Sequence, residues 1–149
     1  MTRALVHGTC VAFGDRAALL RGHPGSGKSD LALRFLALPE DGAMRPRLVA
    51  DDQVWLEARD HVVTASPPET LAGLIEVRGL GIMEMPSIAH ARLVLVCDLV
   101  TVDLVPRMPP DPWDRTALAG VDIPSLKLAP FEASAPLKLK LALLRAPEQ

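Results

Sequence analysis

Tyrosine is absent from this chain and aromatic residues make up 3% of it, so stacking platforms for bases are scarce and the core must come from aliphatic side chains. Positive charge is not in excess either. With 16 Lys and Arg against 18 Asp and Glu, the net charge is -2 and the pI near 6.1, which leaves a nucleic-acid partner nothing to rest on. The two cysteines, Cys10 and Cys97, lie far apart without metal-ligand spacing and in apolar contexts. That pattern suits buried small hydrophobes and a reducing, cytoplasmic setting. No basic stretch followed by an apolar core opens the chain, and no apolar run approaches a bilayer span, so a soluble protein without membrane contact is expected. What remains is a chain of 149 residues rich in Leu, Val, Ala and Ile, long enough to bury a sizeable core and expected to form one domain over residues 1–149.

The feature that organises the rest is Gly22-His23-Pro24-Gly25-Ser26-Gly27-Lys28-Ser29, which satisfies the phosphate-loop pattern of Gly, four free positions, Gly-Lys and a hydroxyl residue. The glycines let the backbone curl with its N–H groups inward, Lys28 carries charge to the outer phosphates, and Ser29 offers a hydroxyl to a metal. Apolar Ala17 to Leu20 before it suits a buried strand, and Asp30 to Ala37 after it is rich in helix formers. Strand, loop and helix thus stand in the required order. A glycine-rich turn between two elements is the plain alternative.

Ahead of the loop, Thr9 to Phe13 and Ala17 to Arg21 flank the turn-rich Gly14-Asp15-Arg16, which predicts an antiparallel hairpin. Doubly wound nucleotide folds do not usually open that way. Pro39 to Pro46 reads as a surface connection, and Arg47 to Ala50 as a strand ending in Asp51-Asp52. Paired carboxylates after a buried strand suit a solvated turn or, downstream of a phosphate loop, metal or proton chemistry. Val54 to Ala58 and His61 to Ala65 predict another hairpin, and Glu69 to Leu74 one or two helical turns. In the stretch from Ile75 to Pro86, Glu76 and Arg78 share a face if the backbone is extended. Arg92 to Val100 is the most apolar run and predicts a central strand buried on both faces. Pro106 to Thr116 reads as irregular, Ile123 to Leu128 as a last short strand, and Leu137 to Arg145 as a helix with Leu137, Leu141 and Leu144 on its apolar face.

Several of these pieces together resemble the catalytic domain of the HPr kinase/phosphorylase family, bacterial enzymes that phosphorylate a serine of the phosphocarrier protein HPr in phosphotransferase-system regulation and can remove that phosphate. The resemblance rests on His7-Gly8, the loop from Gly22 to Ser29, Leu48 to Asp52, Glu76-Val77-Arg78-Gly79-Leu80-Gly81-Ile82, and Asp114-Arg115. The block Arg78, Gly79, Leu80, Gly81, Ile82 is the distinctive one, since phosphate loops alone are widespread. The resemblance implies an α/β, P-loop, phosphoenolpyruvate-carboxykinase-like mixed sheet with a hairpin before the phosphate loop and few helices. It implies ATP as phosphoryl donor with Mg²⁺, HPr or a related phosphocarrier as partner, and a homo-oligomer, a hexamer in the family. By the same resemblance Lys28 holds the outer phosphates, Ser29 and Glu76 face Mg²⁺, and Asp51 is the acid/base that accepts the serine proton. Asp52 supports Asp51 or the metal, while His7 and Arg115 match active-site positions.

The resemblance also implies the short, catalytic-domain-only form. One departure concerns a basic, glycine-containing loop tied in the family to the phosphorylase reaction, because Ala129 to Pro136 here contains no Gly, Arg or Lys. The expected activity is therefore an ATP-dependent serine kinase with reverse phosphorolysis open. The alternatives are a nucleotide-sensing regulatory module without transfer, or a small-metabolite kinase.

Overall fold

The computed structural model describes residues 1–148. In chain order, β1 is Thr2–His7, β2 Thr9–Phe13, β3 Arg16–Arg21, α1 Lys28–Leu36, β4 Pro46–Ala50, β5 Gln53–Arg59, β6 Val62–Ser66, β7 Leu74–Val77, β8 Gly81–Glu84, β9 Ala91–Leu99, β10 Arg115–Leu118, β11 Val121–Leu128 and α2 Ala135–Arg145. Single 3₁₀ turns fall at Glu69–Leu71 and Val102–Leu104.

Nine strands form one curled, mixed sheet in the order β1-β5-β6-β9-β3-β2-β4, with β11 joined to β9 and β10 to β11. The expected hairpin of β2 and β3 is present, closed by Gly14, whose φ of 66° the tight turn requires. The apolar run from Ala91 to Leu99 is the central strand. It pairs in parallel with β3 on one edge, while its other edge is shared by antiparallel β6 at Ala91 and Arg92 and by parallel β11 from Val96 to Leu99.

Alternation along the strands explains why this sheet needs apolar residues on both faces. In β2, Val11 and Phe13 join the cluster against the helices with Leu20, Leu31, Phe35, Leu95, Leu139 and Leu143. Cys10 and Ala12 point the other way, into a second cluster with Leu19, Val49, Val54, Leu56 and Val96 inside the curl of the sheet. Burial of that kind pushes the Cys97 thiol up to about 12, with Asp98 adding to the effect, and raises that of Cys10 further through burial alone. Both thiols stay protonated and inert.

Four details differ from the sequence reading. The sequence does not announce β1, because Thr2 to His7 is largely exposed and its apolar stretch is only Ala4-Leu5-Val6, yet it pairs along its whole length with β5. The Pro106 to Thr116 stretch is irregular only as far as Asp114, since Arg115 begins β10 opposite Pro124. The expected turns at Glu69 to Leu74 shrink to the 3₁₀ turn, with Leu74 opening β7. Helix α2 is present but rotated: Leu139 and Leu143 are fully buried, whereas Leu137, Leu141 and Leu144 are 52%, 51% and 42% exposed. Small Ala135 and Pro136 share its buried face and let it approach closely. Arg16 fixes that phase by donating to the carbonyls of Leu143 at 2.8 Å and Ala146 at 3.3 Å.

Candidate active site

The phosphate loop leaves β3 at its C-terminal end and runs straight into α1, which places free backbone N–H groups at a helix start. Its entrance is fixed by Arg21, whose guanidinium meets Asp98 of β9 at 2.9 Å. Gly22 is required sterically, because a Cβ there would fall 2.3 Å from Ser26 Oγ. Gly27 caps α1 in the left-handed region at φ 97°. Lys28 folds back and donates to the carbonyls of Gly22 at 2.7 Å and His23 at 3.2 Å. Ser26 is buried, and its hydroxyl has no hydrogen-bond partner among the described residues. A buried hydroxyl without a partner in a loop of phosphate-binding pattern is a polar group left for a ligand or water to satisfy.

Asp51, at the end of β4, faces this loop. Its Oδ1 accepts from Thr9 at 2.9 Å and from the Ser29 hydroxyl at 3.1 Å, and its Oδ2 accepts from the backbone N–H of Glu76 at 3.2 Å. One carboxylate thus ties together the hairpin before the loop, the first turn of α1, and β7. Thr9 went unnoticed in the sequence, although a polar residue in a fully buried strand was a readable signal.

Asp52 turns the opposite way. Its φ of 70° reverses the chain, so the side chain leaves the Asp51 cluster and stands 3.4 Å from His7 Nδ1, with both side chains more than half exposed. His7 and Asp52 therefore form a surface pair at the margin of the site. Arg115 begins β10, separated from β9 by β11, and donates to the Asp122 carbonyl at 3.2 Å. It is not among the residues that line the cleft described next.

Strands β7 and β8 make a separate two-stranded hairpin that overhangs the phosphate loop. Between them lies an open cleft of about 660 Å³ whose walls include Gly25, Gly27, Lys28 and Ser29 on one side and Glu76, Arg78, Gly79 and Gly81 on the other. Gly79 and Gly81 adopt φ of 90° and 100°, which shape the hairpin tip, while Leu80 and Ile82 point outward at 72% and 65% exposure. Phe131, beside Gly27 of the loop, also lines the cleft, and no basic or glycine signal in Ala129 to Pro136 points to it.

For a divalent cation the donors near Lys28 are all oxygens: Ser29 Oγ and the carboxylates of Asp51 and Glu76. No group of three or more His, Cys, Asp or Glu among the described residues forms a metal cage. Mg²⁺ needs none, since it binds through one or two protein oxygens and completes its shell with phosphates and water. The donor set fits that ion.

A family model for the HPr Serine kinase C-terminal domain matches residues 1–109. The chain is 36% identical over 121 residues to the HPr kinase/phosphorylase of Geobacillus sp. (strain WCH70), covering 76% of this chain and 35% of that one. It is 29% identical over 140 residues to the HPr kinase/phosphorylase of Enterococcus faecalis (strain ATCC 700802 / V583), covering 85% and 42%. The chain thus spans well under half the length of these curated relatives. Its fold resembles that of the Hpr(Ser) kinase/phosphatase from Coxiella burnetii with a TM-score of 0.74, at 23% identity over 95% of this chain and 94% of that one. Phosphate loop, facing carboxylate and overhanging hairpin are thus found in a chain that belongs to the HPr serine kinase C-terminal domain family.

Proposed function

We propose that this chain transfers the terminal phosphoryl group of ATP to a serine hydroxyl of the phosphocarrier HPr or a close relative of it. The observation that carries the reading is the 3.1 Å hydrogen bond between Ser29 of the phosphate loop and Asp51, which sets a carboxylate beside the place where the outer phosphates would lie. Phosphoryl transfer depends on positioning and charge neutralisation more than on covalent help from the protein. The loop amides and Lys28 supply the first two. Asp51 accepts the proton as the serine oxygen bonds to phosphorus and the bond to the bridging oxygen of ADP breaks.

In this reading Ser29 Oγ and Glu76 would hold Mg²⁺, which would supply charge neutralisation when bound. Asp51 is oriented by Thr9 and by the Glu76 N–H as well as by Ser29, so its position does not depend on the Ser29 hydroxyl alone. His7 and Asp52 take part from the margin of the site, whereas Arg115, held to the Asp122 carbonyl on the β10–β11 pair, is given no role by this geometry. The two buried free thiols support a cytoplasmic setting. The lack of Gly, Arg and Lys from Ala129 to Pro136 supports transfer toward serine over its phosphorolytic reversal.

The test is direct. The purified protein, HPr, ATP and Mg²⁺ should yield phosphoserine on HPr by peptide mapping. Absence of the modification across several metals and nucleotide donors would remove the proposal.

A further inference from the structure

Of the three phenylalanines, Phe13 and Phe35 are fully buried, whereas Phe131 is 69% exposed. It is the one aromatic side chain that lines the cleft over the phosphate loop. The ring lies against Gly27: a Cβ added there would fall 2.9 Å from Phe131 Cζ and 3.0 Å from Cε1. An aromatic side chain with most of its surface open thus stands where the cleft meets the phosphate loop.

Its setting is also built. Arg34 of α1 donates to the carbonyls on both sides of Phe131, to Glu132 at 3.2 Å and to Pro130. The guanidinium is itself held by Asp30 one turn earlier, at 3.0 Å. Lys138 of α2 grips the Glu132 carboxylate at 2.9 Å. The backbone on each side of an exposed ring is therefore anchored to the helix that the phosphate loop opens, which limits where the ring can lie relative to the loop.

We propose that Phe131 is the platform on which the base of the phosphoryl-donor nucleotide stacks, making it a specificity-determining residue for the donor. The proposal rests on the nucleotide-binding reading above. Stacking needs a π-face within reach of the nucleotide's own phosphates, and the remaining cleft walls are glycine, aliphatic or charged side chains and the Ser29 hydroxyl. Stacking of this kind is sequence-tolerant, so the platform favours any nucleotide over a bare polyphosphate and discriminates weakly between purines.

Isothermal titration of the whole protein with ADP and with pyrophosphate separates the two contributions. Phe131→Ala should weaken ADP binding about tenfold and leave pyrophosphate binding within about twofold, and Phe131→Trp should restore ADP affinity. Equal losses on both probes would assign the ring to loop packing and overturn the proposal, as would no loss on either. So would an effect confined to the KM of the protein acceptor. If the unaltered protein binds pyrophosphate but ADP no more tightly, the platform fails alone; if it binds neither, the nucleotide-binding reading fails with it.

Discussion

The two walls of the cleft are built on opposite principles. The phosphate-loop wall grows out of β3 and α1, with Leu31, Ala32 and Phe35 fully buried behind it. The β7–β8 wall is a short hairpin outside the main sheet, in which Ile75 alone is fully inside and all four residues of β8 are exposed. Its base is closed by Met85 N–H donating to the Gly73 carbonyl at 2.9 Å, and it is attached through Ile75 in the core, through the Asp51 carboxylate, and through Leu48, which exchanges backbone bonds with Pro86 and Ile88. The difference teaches that the phosphate loop is held by core packing along its helix, while the opposite wall is held by one buried residue, Ile75, and a few polar ties. Asp51 is where the two meet.

The sharpest way to break this comparison is at that junction. Asp51→Asn should lower phosphoryl transfer by about 10²–10⁴-fold, while nucleotide affinity by titration stays close to that of the unaltered protein. A matching collapse of both would make Asp51 a strut instead of a base.

A second contrast sets the walls against each other. Phe35→Ala, behind the loop, should cost about 3–5 kcal/mol in denaturant unfolding and carry nucleotide binding down with it. Leu80→Ser, on the exposed hairpin tip, should leave stability within about 0.5 kcal/mol and instead raise the KM of the protein acceptor. Equal stability losses would show that the hairpin is part of the core after all.

The smallest effect concerns Cys97, which lies in β9 beside the loop's entrance. Its thiol is held protonated above its usual value of 9.0, up to about 12, so its stabilising contribution is complete below pH 9 and is lost as pH rises through that window. Urea midpoints across this range should fall more steeply for the unaltered protein than for Cys97→Ala.

Local signals made half of this site readable from sequence. A phosphate loop, its hairpin and the carboxylate after β4 are each specified by a few neighbouring residues, and all are where their spacing puts them. What stayed hidden depends on distant partners or on a single dihedral. The outward swing of Asp52 follows from φ 70°, which no residue pattern announces. Arg34 reaches carbonyls more than ninety positions away, so the seat of Phe131 has no local trace. In α2 both leucine sets recur at helical spacing, and only the Arg16 contacts and the small residues at 135 and 136 decide which set turns inward.

The divided edge of β9 carries a consequence for how the chain is made. β11 completes that edge from Val96 to Leu99, yet it lies beyond residue 109, where the family match stops. A nascent chain released to that point would hold every phosphate-loop residue and Asp51 but present an open, apolar half-edge to its neighbours. During vectorial synthesis that half-edge can be covered only once β11 has been made, a long-range pairing of the kind that carries loop-closure entropy and slows folding.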